Sequence, residues 1–174
     1  MLAIARAQVS EAGGSATTRQ QILDFLDAHP DALLRSCVLG HLTGSAAVVD
    51  PQRQRALLVL HRKLGRWLQP GGHADGDGDL AGVARREASE ETGIIGLTVE
   101  QPALDVDVHE IPPIGNEPSH LHLDVRFLVV APEAAVAVAN DESLALRWVT
   151  AGELDDPALA LDESTKRLLR SALQ

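Results

Sequence analysis

Ile22, Leu23, Phe25 and Leu26 recur at helical spacing, and His29-Pro30 interrupts the pattern, so a helix is predicted from Thr17 or Thr18 to about His29. Residues 1–16 show no clear period and carry Gly13-Gly14-Ser15; they are expected to form a flexible, frayed arm. Gly44 to Val49 reads as a strand, and Asp50-Pro51 turns the chain into a second, Ala56 to His61. Leu68-Gln69-Pro70-Gly71-Gly72 reads as a loop, and Asp79 to Thr92 as a helix. Further strands are predicted over Leu104–Ile111, Leu121–Val130 and Leu144–Val149, with Pro112-Pro113-Ile114-Gly115-Asn116 separating the first two. Asp162 is placed to cap a last amphipathic helix whose apolar side holds Leu168, Leu169, Ala172 and Leu173.

Strands interleaved with a few helices define an α/β chain, a mixed sheet packed between helices. At 174 residues, without an internal repeat, one domain suffices: an arm over 1–16, then a single unit over 17–174 that opens on a helical extension. The apolar stretches fall short of the ~20 residues a bilayer span requires. Arg6, Glu11 and Arg19 break up the first residues, so no secretory signal is expected and no membrane partner. Cys37 has no second cysteine to pair with; between Leu33-Leu34 and Val38-Leu39 it reads as a buried thiol, which suits a reducing, cytoplasmic setting. The formal charge of −10 argues against a nucleic-acid polymer as partner. A small anionic substrate stays compatible with it, because a bound metal ion reverses the local field.

The chemistry concentrates in residues 70–94. Glu87, Glu90 and Glu91 stand at i, i+3 and i+4 of the predicted helix, so one face gathers three carboxylates. Like charges at that spacing cost roughly 0.2–0.5 kcal/mol per pair, and these lie in the last turn before Gly93, where the helix end is already partly negative. A helix built for stability alone would carry Lys or Arg there. A hard divalent cation resolves the conflict, since Mg²⁺ prefers carboxylate oxygens and keeps water for substrate phosphates.

Gly72, Arg86-Glu87, Glu90-Glu91 and Gly93-Ile94 fall at the spacing of Gly-x5-Glu-x7-Arg-Glu-U-x-Glu-Glu-x-Gly-U, where U is aliphatic. Over residues 72–94 the chain therefore resembles the Nudix hydrolase family, and more loosely from Gly44 to Leu154. Ala88 and Ile94 occupy the two U positions. The first box Glu is replaced by Gly78, flanked by Asp77 and Asp79, either of which offers a substitute carboxylate or a turn and helix-cap residue. The resemblance implies a Nudix α/β/α sandwich with the box on a loop–helix–loop, the family domain spanning 17–174. It implies Mg²⁺ or Mn²⁺ held by Glu87, Glu90 and Glu91, with Asp77 or Asp79 as further candidates, and Arg86 orienting Glu87 through an ion pair. It implies water attack on phosphorus in a diphosphate, such as a nucleoside diphosphate linked to a group X. Arg86, Glu87 and Glu90 are the catalytic candidates within the box; family members take the general base from the box or from a later acidic loop, where Asp141-Glu142 offers Glu142 as base or metal helper. The Gly71-Gly72 backbone is expected to let substrate approach closely.

Three other features stand beside the box. His61-Arg62-Lys63 ends a strand near it, so Arg62 and Lys63 are candidate phosphate contacts, against an exposed basic turn. His120, His122 and Asp124 alternate onto one strand face, as pocket lining, a zinc triad or a polar sheet face. Trp67, just before the box, is the candidate for stacking on a base, while Trp148 is expected in the core. Two alternatives to the metal-dependent hydrolase stay open: a nucleotide-binding sensor without turnover, for which Gly78 speaks, and a zinc hydrolase centred on His120, His122 and Asp124. Base identity, X and a possible homodimer are not legible in the sequence.

Overall fold

The computed structural model describes residues 1–113, 115, 118–140 and 143–174. In chain order the elements are helices α1 (Leu2–Glu11) and α2 (Ala16–Ala28), strands β1 (Gly40–Val49), β2 (Arg55–His61), β3 (Arg66–Leu68) and β4 (Gly71–His73), and helix α3 (Leu80–Thr92). Strands β5 (Thr98–Val99), β6 (Asp105–Ile111), β7 (His120–Val130) and β8 (Ser143–Thr150) follow, then a 3-10 turn and α4 (Glu163–Ala172). No helix among the described residues is long and apolar enough to cross a membrane.

The sheet is mixed. β1 lies at its centre, parallel to β7 from Gly40↔Leu121 to Val49↔Val130 and antiparallel to β2 and β4. All ten of its residues are buried, as expected of a strand covered on both faces. Leu42, Ala46 and Val48 face one side, where with Leu123, Val125 and Phe127 they pack against α1, α2 and α3. Ala47 and Val49 face the other, where with Leu58 and Leu128 they meet Leu168 and Leu169 of α4. Burying each such leucine contributes roughly 1.5–3 kcal/mol. The result is a sheet between helical layers, the α/β/α sandwich expected from the sequence.

β1 begins four residues before the predicted strand because His41 and Thr43, polar in sequence, are buried along with the apolar positions. The segment 68–72 is not simply a loop: Leu68 closes β3 and Gly71-Gly72 open β4, the latter pairing with Ser45 and Gly44. The larger correction is at the start of the chain. Residues expected as a frayed arm form α1, with Ala5 and Val9 wholly buried and Ala12 4% exposed. Small residues at i, i+4 and i+7 make a weak hydrophobic period but a close-fitting one. Gly13 and Gly14 then pass directly against Leu104 and Asp105, too near for any Cβ, so the glycines read as flexibility are contact positions.

At the other end, Asp162 caps α4 as expected, its Oδ1 accepting the Thr165 N–H at 2.8 Å. Trp148 is partly buried against the first core, with the Arg55 guanidinium 5.5 Å from its ring centre. Cys37 is a buried free thiol, and burial pushes its pKa up, which suits an inert packing role.

Candidate active site

α3 lies close against the sheet because its inner face is small. A Cβ at Gly44 would strike the Leu80 carbonyl and the Ala84 amide, and Ala88 is wholly buried. The short aliphatic position in the motif is therefore a fit to a tight helix–sheet contact. The helix ends at Gly93, whose φ of 67° is left-handed and whose N–H bonds to the Ser89 carbonyl. Glu87, Glu90 and Glu91 emerge from its last turns.

These three glutamates line one cleft of about 650 Å³ together with Gly71, Gly72, His73, Asp75, Asp77 and Arg86, and with Arg35, His61, Arg62 and Lys63. Arg86 Nη2 donates to Glu87 Oε1 at 2.8 Å and to the His73 carbonyl at 3.5 Å; its Nε lies 3.9 Å from Glu90 Oε1. The expected Arg86–Glu87 ion pair is thus formed within α3, and the bond from Arg86 to the His73 carbonyl ties the helix to β4. Glu91 is 8% exposed and Glu90 points outward, its side chain 61% exposed.

Gly71 and Gly72 are required by the protein itself. A Cβ on Gly72 would occupy the position of the Glu87 carboxylate, and one on Gly71 that of the Ser45 side chain. Their bareness seats Glu87 against β4; it was read from sequence as room for substrate.

The two flanking aspartates separate. Asp77 lines the cleft and its Oδ1 accepts the Asp79 N–H at 2.9 Å. Asp79 stands at the N-cap position of α3 but makes no side-chain cap, and it is not among the cleft residues. Its Oδ1 instead accepts from Gln8 Nε2 at 2.9 Å, while Gln8 Oε1 accepts the Leu80 N–H at 2.8 Å. α1 supplies the cap. Gly78 lies under the Met1 backbone, which leaves no space for a Cβ. The missing first glutamate of the box follows from where α1 packs.

Arg62 and Lys63 reach the cleft; Trp67 does not, being packed beside the second core. Glu142, with Asp141, lies outside the described residues. Arg35 was missed in the sequence: it lines the cleft and holds Asp75 through two bonds of 2.7 Å. It is far from the box in sequence, and no local pattern marks it.

His120, His122 and Asp124 share a strand face as predicted, but they do not form a ligand triad. Asp124 is 2% exposed, and its Oδ1 accepts from Thr43 Oγ1 and Ser45 Oγ, both at 2.8 Å. Its Oδ2 accepts from buried Arg126 Nε at 2.8 Å. Arg126 further bonds Asp107 at 3.0 Å and Ser164 Oγ at 2.6 Å, so the carboxylate is part of a network joining β1, β6, β7 and α4. His120 and His122 do not line the cleft. They sit in a cluster with His41, His73 and His109, ring centres 4.9–5.5 Å apart along its chain of contacts. Burial, then the charge of Arg35, lowers His73 to about 4, and burial with its neighbouring histidines lowers His122 further.

The NUDIX domain family matches residues 41–171. The chain belongs to the Nudix family of pyrophosphohydrolases. Among solved structures it is similar to a NUDIX-family hydrolase from Clostridium perfringens, at 23% identity and a TM-score of 0.54 over 76% of this chain and 93% of that one. The dihydroneopterin triphosphate pyrophosphohydrolase of E. coli gives 19% and 0.57 over 76% and 94%. The Ap4A hydrolase of C. elegans, in a binary complex, gives 17% and 0.54 over 75% and 93%. These likenesses are of fold. A search among curated proteins returned no match.

Proposed function

We propose that this enzyme hydrolyses the diphosphate linkage of a nucleoside diphosphate joined to a second group X, with Mg²⁺ or Mn²⁺ as cofactor. The observation that carries the reading is the single cleft that holds Glu87, Glu90 and Glu91 with the cations Arg62 and Lys63. The donor set fits a hard divalent ion: Glu87, Glu90 and Glu91 offer only carboxylate oxygens, and Asp77 lines the same cleft. These four would hold it. When bound, such an ion neutralises charge on the diphosphate and makes water a stronger nucleophile at neutral pH.

The chain's own residues do the rest. Arg86 fixes the Glu87 carboxylate against β4. Arg62 and Lys63 attract and orient the substrate phosphates, aided by a cleft that concentrates their field. Gly72 lets β4 lie against Glu87 of α3, and Gly71 lets it lie against Ser45 of β1. A glutamate of the box or Glu142 accepts the proton of the attacking water. Nucleotide chemistry is favoured by likeness to a hydrolase of Ap4A, while the packing of Trp67 away from the cleft removes the expected stacking ring.

The test is phosphate and pyrophosphate release from a panel of nucleoside diphosphates linked to sugars, nucleotides or further phosphates, with and without Mg²⁺ or Mn²⁺. Turnover that needs the ion and is lost in Glu91→Gln supports the proposal. Nucleotide binding without turnover by any substrate would make the chain a sensor instead.

A further inference from the structure

Five of the chain's seven histidines gather behind the cleft wall, and the proposed hydrolysis uses none of them. His41 is 4% exposed, and neither of its ring nitrogens has a hydrogen-bond partner among the described residues; His122 Nε2 has none either. The Cys37 carbonyl exerts a weak pull on His41 without completing a hydrogen bond of ordinary geometry. A neutral imidazole carries one donor and one lone pair. Burying both without a partner is a cost that a structure does not bear without reason.

Ring nitrogens from these two histidines and His73 converge. One ring nitrogen each of His41, His73 and His122 lies within 4.8 Å of the others. Nitrogen ligands of a tetrahedral zinc at ~2.0–2.1 Å stand about 3.4 Å apart, so small side-chain rotations close the set. The backbone beneath is rigid: His41 pairs directly with His122 across β1 and β7, and His73 enters from β4 opposite Thr43. His120 lies beside them, its ring stacked 5.0 Å from His41, outside the set of nitrogens that lie within 4.8 Å of one another. Its Nδ1 faces the Pro118 carbonyl at 3.0 Å. A carbonyl only accepts, so Nδ1 carries the hydrogen and Nε2 keeps its lone pair, the orientation that outer partners impose on ligating histidines.

We propose that His41, His73 and His122, with His120 as fourth ligand, form a binding site for a transition-metal dication of the zinc type, separate from the carboxylate site. Imidazoles select zinc and its neighbours, whereas the box carboxylates select magnesium or manganese, so the two sites sort their ions by ligand chemistry. His73 belongs to the cleft as well as to the cluster. Through it the ion adds positive charge behind the wall that faces an anionic substrate.

The experiment measures zinc binding by the chelator-treated full chain at equilibrium in excess Mg²⁺, with Co²⁺ as an optical probe. The wild type is expected to hold one zinc per chain and to give the intense visible bands of tetrahedral Co²⁺. His73→Gln and His122→Gln, each checked for native circular dichroism, are expected to weaken zinc at least ~100-fold, since even outer-shell losses cost 10–100-fold. Glu91→Gln should leave zinc unchanged. If His122→Gln misfolds, the half-buried His73 carries the test alone. Absence of stoichiometric zinc, or zinc lost in Glu91→Gln but kept in the folded histidine variants, overturns the proposal. Neither result bears on diphosphate hydrolysis, which is read separately.

Discussion

Gln8 accepts the Leu80 N–H at 2.8 Å and so caps the helix that carries the box glutamates, although the two residues stand 72 positions apart. The same amide donates to Asp79, the residue whose position in sequence suggested that it would cap the helix itself. α1 is therefore part of the scaffold of the cleft. Replacing Gln8 with Ala should cost about 0.5–2 kcal/mol, the range for loss of a helix cap. Urea denaturation monitored by circular dichroism measures it, and an unchanged midpoint would mean that the bond contributes nothing.

Gly78 beneath Met1 leads to a second expectation. Gly78→Glu completes the family motif on paper but forces α1 outward, since even a Cβ has no space there. Overpacking of this kind costs roughly 1–3 kcal/mol. The variant should melt lower than wild type and gain no activity; a more active and equally stable variant would show that α1 yields easily.

Gly72→Ala tests the seat of Glu87. Its methyl group meets the Glu87 carboxylate, and displacement by about 1 Å can cost on the order of 10²-fold in rate. The loss should appear in kcat, with KM for the diphosphate nearly unchanged, because the phosphate-facing Arg62 and Lys63 stay in place.

Asp107 sets an acid limb of stability. Burial alone would raise its carboxyl, but the His109 hydrogen bond, the charge of Arg126 and the bond from Arg167 outweigh burial and hold it well below its ordinary value of 3.8. The unfolded chain therefore takes up this proton first. Asp107 contributes its full share above about pH 4 and loses it as pH falls below that value. Asp107→Asn should be less stable at pH 7 by about 1–3 kcal/mol, with the gap to wild type narrowing toward pH 3. Denaturation at a series of pH values reads both.

Arg126 is 3% exposed in its side chain and faces Asp105, Asp107 and Asp124. Arg126→Met leaves the buried Asp124 without its cation, while Arg167 still pairs with Asp105 and Asp107, and breaking a buried pair from one side costs roughly 3–5 kcal/mol. Folding yield and thermal midpoint report the effect.

Local, periodic features were legible in the chain alone. Glu87, Glu90 and Glu91 had to share a helix face, because three and four residues make about one turn. Asp162 had to cap α4, and Gly93 had to end α3, because each acts on its own backbone within a turn. The family followed from such short spacings. The rest depends on residues that meet across the fold. His41, His73 and His122 come from three strands, and their meeting is set by sheet register. Of the readings that the sequence leaves open for Asp124, pocket lining, zinc ligand or polar sheet face, the bonds from Thr43, Ser45 and Arg126 select a buried polar network. Residues 1–16 read as an arm because alanine and glycine carry little hydrophobic signal, yet small side chains are what let α1 lie against α2 and over Gly78. Spacing along the chain dictates which side chains a single element presents; packing between elements dictates what each of them meets.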